Sequence, residues 1–341
     1  MSNKKWLICS IIGLWLLAAI TGCSNGSQSK QVEGKVNVVT SFYPLYYFAK
    51  EIGGDQAHVV NLVAAGVEPH DWTPKSRDLD AVSNAQLFLY NGAGLEGWVD
   101  DFLNGLGTDS KVVTVETSKG IELIKGNPEE VHEEEVHEEE VHEEEVHEEE
   151  EHAGEVHEEE EGHGHSELDV DPHTWVSPRS ALIMAANIRD AFVAADPGHQ
   201  ADFESRYVDL ENRLKQLDEK FAAGLADYER RDIVVSHQAF GYLCRDYKLN
   251  QIAIMGLSPD AEPRSQDLLK IADYVKKSNI SYIFFEELVS DRLAETLASE
   301  ANVDTLVLNP LEGLTPEQEK AGETYITLME RNLVNLQKAL Q

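Results

Sequence analysis

Short apolar runs rich in β-branched residues recur along the first third of the chain, with stretches between them that are long enough for helices. They cover residues 36–40, 58–63, 87–90 and 112–115. The same alternation returns late in the chain, at residues 233–235, 251–255, 282–285 and 305–308. Strands that alternate with helices predict parallel sheets covered by helices. The pattern therefore predicts an α/β protein with two lobes, each a mainly parallel sheet flanked by helices.

One long amphipathic segment separates the two groups of strands. Its apolar residues recur at spacings of three and four, with charged residues between them: Phe203, Tyr207, Leu210, Leu214, Leu217, Phe221, Leu225 and Tyr228. This spacing predicts a rigid linker helix within residues 196–230, roughly 48 Å long at 1.5 Å per residue, between lobes at 36–195 and 231–341. A coiled-coil dimer seam is the alternative. The stripe is wide and aromatic, which favours packing along both lobes of one molecule, so we expect a monomer.

The amino terminus has the pattern of a targeting segment. Lys4 and Lys5 precede an apolar run at residues 6–20 that is too short to span a membrane. The following sequence, Ile20-Thr21-Gly22-Cys23, resembles the lipobox of bacterial lipoproteins. It implies a signal peptide at 1–22, acylation of Cys23 and a flexible tether at 23–35. The protein would then be exported and lipid-anchored to the outer face of the cell membrane, on the periplasmic side in a two-membrane envelope. The alternative is an ordinary secretory signal with an incidental cysteine.

The formal net charge of −35 excludes a nucleic-acid binder, because no basic stripe is present to neutralise phosphates. Most of the excess is local, since residues 129–167 contain 21 glutamates and no lysine or arginine. Within them, residues 130–165 form a low-complexity insert with a repeated VHEEE motif, which cannot build a core. Its histidines are candidate weak auxiliary metal ligands: His132, His137, His142, His147, His152, His157, His163 and His165. The insert either gathers cations or only solvates, and its mobile imidazoles favour gathering.

Three histidines outside the insert lie in turns or directly after predicted strands. They are His70 in GVEPHDWTPK, His173 in DVDPHTWVSP and His237 in VVSHQAFGYL. In parallel α/β sheets, the loops at the carboxyl ends of strands converge on ligands. Three neutral imidazoles from separated segments suit Zn²⁺, a borderline ion. These residues are therefore candidate ligands. Cys244, in an apolar stretch, is expected to be a small buried hydrophobe without a disulfide partner.

In order and spacing, these three motifs and the histidine-rich insert resemble the ZnuA-like family (cluster A-I), the zinc-binding solute-binding lipoproteins of metal ABC importers. The resemblance covers essentially the whole mature chain. It implies that one Zn²⁺ is captured between two lobes joined by a rigid helix and is delivered to the permease and ATPase subunits of a zinc ABC importer.

The resemblance also places a fourth ligand in a late loop, where Glu312 is the candidate, with Glu286 and Glu287 as a weaker pair. A water is the alternative fourth ligand. Mn²⁺ is less favoured, since manganese-carrying relatives tend to have glutamate where this chain has His237.

Two alternative functions remain at this stage. A surface zinc hydrolase would also use three histidines, but the chain has no H-E-x-x-H motif, and Glu312 as a ligand would fill the position that a catalytic zinc leaves for water. A zinc buffer or adhesin would make the insert the functional part. Deletion of residues 130–165 distinguishes a zinc buffer or adhesin from a cleft site, because tight zinc binding in a cleft should survive the deletion.

Overall fold

The computed structural model describes residues 31–107, 110–126, 170–259 and 263–341. The predicted signal peptide, the lipidation site Cys23 and the eight histidines of the insert lie outside these ranges. Within them, no helix combines the length and the apolar character needed to cross a membrane.

The first lobe is built on a four-stranded, entirely parallel sheet in the order β2-β1-β3-β4. Its strands are β1 Val36–Thr40, β2 Ala57–Asn61, β3 Leu87–Tyr90 and β4 Val113–Glu116. Every residue of the central strand β1 is buried, as expected for a parallel strand covered on both faces. The helices of this lobe are α1 Tyr43–Gly53, α2 Ser76–Ser83, α3 Val99–Asn104 and α4 Pro178–Ala195.

The linker helix α5 runs from Gln200 to Leu225, 26 residues or about 39 Å, after a short 3-10 turn at Pro197–His199. Its buried side chains are seven of the eight in the predicted stripe: Phe203, Tyr207, Leu210, Leu214, Leu217, Phe221 and Leu225. The helix ends earlier than the sequence predicts. The guanidinium group of Arg231 donates hydrogen bonds to the carbonyl oxygens of Leu225 and Ala226, 2.8 and 3.0 Å away, and these bonds satisfy free carbonyl groups where the helix stops.

The second lobe repeats the topology of the first, with four parallel strands in the order β6-β5-β7-β8. The strands are β5 Asp232–His237, β6 Asn250–Met255, β7 Tyr282–Phe285 and β8 Asp304–Val307. The helices are α6 Gly241–Tyr247, α7 Ser265–Lys277, α8 Arg292–Ala301, α9 Pro316–Ala321 and α10 Tyr325–Ala339. The fold class predicted from the sequence is confirmed in both lobes.

The largest buried apolar cluster belongs to neither lobe alone. It includes Val38 of β1, Leu214 of α5, Val235 of β5 and Tyr325 of α10. Cys244 is also a member, 6% exposed and free, as expected for a small buried hydrophobe. Because one continuous core joins both lobes to the linker helix, separating the lobes would expose apolar surface.

Candidate metal site

Four side chains from four separate segments of the chain meet between the two lobes. His70 lies in the loop between β2 and α2, and His173 directly precedes a short 3-10 turn, Thr174–Val176. His237 is the last residue of β5, and Glu312 lies in the loop between β8 and α9. Three of these positions follow the carboxyl ends of parallel strands, where the sequence analysis expects ligands to bind. The structure thus brings together His70, His173, His237 and Glu312, the four main ligand candidates of the sequence analysis.

Each histidine presents its Nε2 atom to the same point. The Nε2 atom of His173 lies 3.2 Å from that of His70 and 3.2 Å from that of His237. The Oε1 atom of Glu312 lies 3.6, 3.4 and 3.5 Å from the Nε2 atoms of His70, His173 and His237. Each of the four residues offers one ligand atom, and these four atoms all lie within 4.8 Å of one another.

These separations match the edges of a small tetrahedron. A tetrahedral ion with bonds of about 2.0–2.2 Å to nitrogen and oxygen ligands separates those ligands by roughly 3.3–3.6 Å. The three separations from Glu312, 3.4 to 3.6 Å, fall within that range, and the two between imidazole nitrogens, 3.2 Å each, lie just below it. Three imidazole nitrogens and one carboxylate oxygen are also a donor set that zinc accepts. The four residues can therefore hold a single small cation with little rearrangement.

The carboxylate of Glu312 is the clearest sign that a cation belongs here. The residue is 1% exposed, and both of its oxygens are buried without a hydrogen-bond partner in the part of the chain that the structure describes. Burial by itself would raise the pKa of this carboxyl, but the three imidazoles beside it hold the pKa well below its usual range. A buried, charged carboxylate is costly unless a positive group compensates it.

The three imidazoles have different surroundings. Burial would lower the pKa of His237, but Glu286 and Glu312 raise it well above its usual value. Burial would also lower the pKa of His173, but Asp171 and Glu312 raise it. For His70, burial prevails over Glu312 and lowers the pKa. Before a metal arrives, the raised pKa values of the two fully buried rings, His173 and His237, favour their protonated, positively charged forms, which face Glu312.

Two carboxylates behind the site were not predicted as partners of the histidines. The Nδ1 atom of His173 lies 2.8 Å from Asp171, and that of His237 lies 2.7 Å from Glu286. Glu286, a weaker ligand candidate in the sequence, thus contacts the opposite edge of the ring from the cation position. Glu287 accepts hydrogen bonds from Asn309 and Gln318, outside the group of four. The Asp-Pro-His sequence at residues 171–173 was the one available signal for Asp171.

Glu68 is a further buried acid at the site that the sequence analysis did not single out. Burial first, and then the charge of Glu312, raise the pKa of Glu68 to about 9. One of its oxygens accepts the main-chain N–H of His70 at 3.1 Å, and the other is buried without a hydrogen-bond partner among the described residues. At neutral pH this carboxyl is therefore protonated and adds no charge to the site.

Backbone conformation helps to place the loops of His70 and Glu312. Gly66, with φ of +81°, donates its N–H to the carbonyl oxygen of Leu314 at 2.7 Å, which joins the two loops across the lobes. Leu311 has a left-handed φ of +62°, an unusual conformation for a branched side chain. Its N–H is held by the side chain of Asn309 at 2.7 Å. Such a conformation costs about 1 kcal/mol or more, and the buried surroundings of Leu311 must offset that cost.

Comparison with known proteins gives consistent results. A family model described as zinc-uptake complex component A, periplasmic, matches residues 38–339. The zinc-binding lipoprotein AdcA of Streptococcus pneumoniae (strain ATCC BAA-255 / R6) is 41% identical over 338 residues, 99% of this chain and 61% of AdcA. The chain thus spans less than two thirds of that relative. The high-affinity zinc uptake system protein ZnuA of Bacillus subtilis (strain 168) is 38% identical over 339 residues, 99% of this chain and 98% of ZnuA.

A solved structure extends the similarity to the fold. The crystal structure of the Zn(II)-bound ZnuA-like domain of Streptococcus pneumoniae AdcA matches with a TM-score of 0.71 and 37% sequence identity, over 90% of this chain and 99% of that domain.

Proposed function

The chain belongs to the family of ZnuA zinc-uptake components, and from this premise we propose that it captures Zn²⁺ between its two lobes for delivery to an ABC importer. The ligands are the Nε2 atoms of His70, His173 and His237 and a carboxylate oxygen of Glu312. The observation that carries this proposal is the buried Glu312 carboxylate, which faces three converging imidazole nitrogens and has no hydrogen-bond partner among the described residues.

The donor set favours zinc over manganese. Imidazole nitrogen is a borderline donor that suits zinc, whereas manganese prefers a site richer in oxygen. The small tetrahedron of donor atoms also suits the four-coordinate geometry of zinc. Glu312 rather than a water supplies the fourth ligand in this proposal, since its Oε1 atom already lies 3.4–3.6 Å from all three nitrogens.

We further propose the cellular context that the family and the amino terminus suggest. The protein is exported, attached to membrane lipid through Cys23, and works as a monomer that delivers zinc to the permease and ATPase subunits of the importer. Because His173 and His237 are fully buried, release of zinc requires a local opening of the loops around the site.

A binding protein accounts for the site better than a hydrolase does. Catalytic zinc sites combine three protein ligands with one position open to water, whereas structural and storage sites are closed by a fourth ligand. Here Glu312 closes the tetrahedron. Turnover of an ester or peptide substrate by the zinc-loaded protein, abolished by a chelator and restored by zinc, would support the hydrolase instead.

Calorimetric titration of the metal-free protein with zinc tests the proposal. We expect one tight equivalent per chain, which survives deletion of residues 130–165, because all four proposed ligands lie outside the insert. Only weaker, additional equivalents should disappear with the insert. Loss of the tight equivalent on deletion would favour the zinc buffer or adhesin, in which the insert is the functional part.

Delivery to an importer requires a cellular measurement. Cells that lack the protein should take up radioactive zinc slowly from a chelated medium, and the full chain should restore uptake. Restoration by a Cys23→Ala form to the same rate would argue against the lipid anchor, while unchanged uptake in cells without the protein would argue against the role in transport.

The affinity for zinc should fall as the pH falls, and the fall should begin above pH 6.5. The imidazoles must be neutral to coordinate, and the pKa values of His173 and His237 are raised in the metal-free site. Binding of zinc should therefore release protons from these two rings, up to about two per ion. Titrations in buffers of different ionisation enthalpy count those protons. An affinity that stays flat from neutral pH to pH 5 would contradict histidine ligation.

A further inference from the structure

In each lobe, one carboxylate oxygen holds a ligand histidine at two points. The Oδ1 atom of Asp171 accepts the main-chain N–H of His173 at 2.9 Å and faces its ring Nδ1 atom at 2.8 Å. The Oε1 atom of Glu286 accepts the main-chain N–H of His237 at 3.3 Å and faces its Nδ1 atom at 2.7 Å. Two segments of different sequence thus form the same arrangement, one in each lobe.

Both carboxylates are themselves buried and held in place. Asp171 is 1% exposed and Glu286 is 3% exposed. The hydroxyl group of Ser236 donates to the same oxygen of Glu286. Asp171 packs against Gly241 of the second lobe so closely that a Cβ atom on that glycine would lie 2.2 Å from the carboxylate. Burial, the hydrogen bond from Ser236 to Glu286 and the close packing of Asp171 against Gly241 therefore restrain the two acids beside their histidines.

The third histidine lacks this support. The main-chain N–H of His70 donates to a carboxyl oxygen of Glu68, and none of the hydrogen bonds found among the described residues involves the Nδ1 atom of His70. The ring is also the least buried of the three. The carboxylate support is therefore specific to His173 and His237 and is not a general property of histidines in this fold.

We propose that Asp171 and Glu286 are positioning residues for the captured metal, a proposal that rests on zinc binding as the function of the site. A carboxylate at Nδ1 keeps the proton on that nitrogen, so that Nε2 carries the lone pair that faces the cation. It also fixes the plane of the ring and makes the imidazole a stronger donor. Glu286 and Asp171 together supply two further negative charges just behind a buried dication.

The test compares two substitutions of Glu286 that differ mainly in their ability to accept a hydrogen bond. Glu286→Leu keeps an approximately similar volume and accepts no hydrogen bond, whereas Glu286→Gln offers a carbonyl oxygen to the Nδ1 proton. We expect Glu286→Leu to lower the zinc affinity by about 10–100-fold, the usual effect of losing such a partner. Glu286→Gln should recover part of that loss. Competition with a chelator of known affinity measures both.

Asp218 provides a matched control. One oxygen of this carboxylate also accepts two hydrogen bonds, from Arg179 at 2.8 Å and from Tyr247 at 2.9 Å, but neither donor belongs to the site. Asp218→Asn should therefore keep the affinity of the unmodified protein. Equal losses for Asp218→Asn and Glu286→Leu would mean that the effect on zinc is a general consequence of weakening the fold, and would overturn the proposal.

A spectroscopic measurement separates positioning from stability. Long-range ¹H–¹⁵N correlation spectra of the full zinc-loaded chain should show two buried rings protonated at Nδ1 and coordinated at Nε2. At a pH where the metal-free rings are neutral, Glu286→Leu should mix the tautomers of one ring, and Glu286→Gln should not. If Glu286→Leu does not fold, the spectra of the unmodified protein still decide, since Nδ1 coordination of either buried ring would overturn the proposal.

The outcome also distinguishes this proposal from the function on which it rests. A chain with no tight zinc equivalent would overturn the function itself. A chain that binds zinc tightly, but equally well with Glu286→Leu, would leave the function intact and overturn the positioning role alone.

Discussion

Substitution of both His70 and His237 by alanine should abolish the tight zinc equivalent. The two rings come from different lobes, and His173 and Glu312 would remain as the only ligands of the set. Loss of a partner behind a ligand lowers metal affinity by about 10–100-fold, and loss of two ligands themselves must cost more than this. We expect calorimetry to show at most weak binding comparable to that of the acidic insert. Metal analysis of the purified variant should show less than one zinc per chain after dialysis.

His58→Ala is the matched control for this prediction, since His58 lies on β2, outside the group of four. It should bind zinc as tightly as the unmodified protein. Circular dichroism should confirm that the double variant remains folded, because its substitutions remove groups that contribute little to the main apolar core. Tight, stoichiometric binding that survives the double substitution would refute ligation between the lobes.

The sheets could be predicted because their central strands, such as β1 and β5, are buried on both faces. A strand in a parallel sheet covered by helices must be a short, continuous apolar run, and such runs are visible in the sequence. Three of the eight predicted strands, residues 36–40, 87–90 and 282–285, have the same bounds in the structure, and the others differ by one or two residues at an end. The strand order, 2-1-3-4 in each lobe, was not predicted, since the apolar pattern does not specify which strands are neighbours.

The end of the linker helix could not be predicted from the apolar spacing. Tyr228 continues the apolar spacing beyond the last helical residue, Leu225, and packs against the core from a non-helical segment. What ends the helix is a contact with Arg231, whose side chain binds two carbonyl oxygens at the carboxyl end. A charged residue several positions downstream gives no periodic signal of that kind.

The three histidines could be marked from their positions, but their convergence could not be derived from them. Each follows a strand or lies in a proline-containing turn, and this is visible in the sequence. The distance of 3.2 Å between the Nε2 atoms of His173 and His237 depends on how the two lobes pack together. Glu312 entered as a candidate only through family resemblance, because a glutamate in an ordinary loop has no distinguishing pattern.

Glu286 illustrates why the chemistry of a carboxylate cannot be assigned from sequence. As an acid directly after a strand, it was a reasonable second ligand candidate. Its contacts follow from the pairing of β5 with β7, which places it beside the hydroxyl group of Ser236 and the main-chain N–H of His237. From there it reaches Nδ1 and not the cation position. The topology, which the sequence pattern left open, therefore decides between a ligand and a support.

Trp175 connects the loop of His173 to the loop of Glu312. It lies two residues after His173, and its indole N–H donates to the carbonyl oxygen of Pro310, two residues before Glu312, at 2.7 Å. Its own carbonyl oxygen accepts the hydroxyl group of Tyr325 at 2.6 Å. The ring packs edge-on against Phe42 with centroids 4.6 Å apart, and none of it is exposed. One residue thus joins the segment between β1 and α1, the helix α10 and both lobes of the site.

Trp175→Ala should therefore be the most damaging single substitution in the core. Removal of a fully buried tryptophan usually costs about 3–5 kcal/mol, because apolar burial is lost and a cavity remains. The carbonyl oxygen of Pro310 would also be left buried without its partner, at about 1–3 kcal/mol. Denaturant unfolding of the metal-free protein should show this decrease. The zinc affinity should fall as well, since the loops of His173 and Glu312 lose their common support.

Trp175→Phe separates the two contributions. Phenylalanine keeps most of the apolar volume and the edge-on contact with Phe42 but cannot donate to Pro310. We expect a smaller loss of stability than for alanine and a weaker zinc affinity than that of the unmodified protein. Val334→Ala, at a side chain that is 62% exposed on α10, should change stability by less than about 0.5 kcal/mol. If Trp175→Ala lowered stability yet bound zinc with unchanged affinity, the packing of the lobes and the geometry of the metal site would be independent of each other, contrary to the role of the shared core.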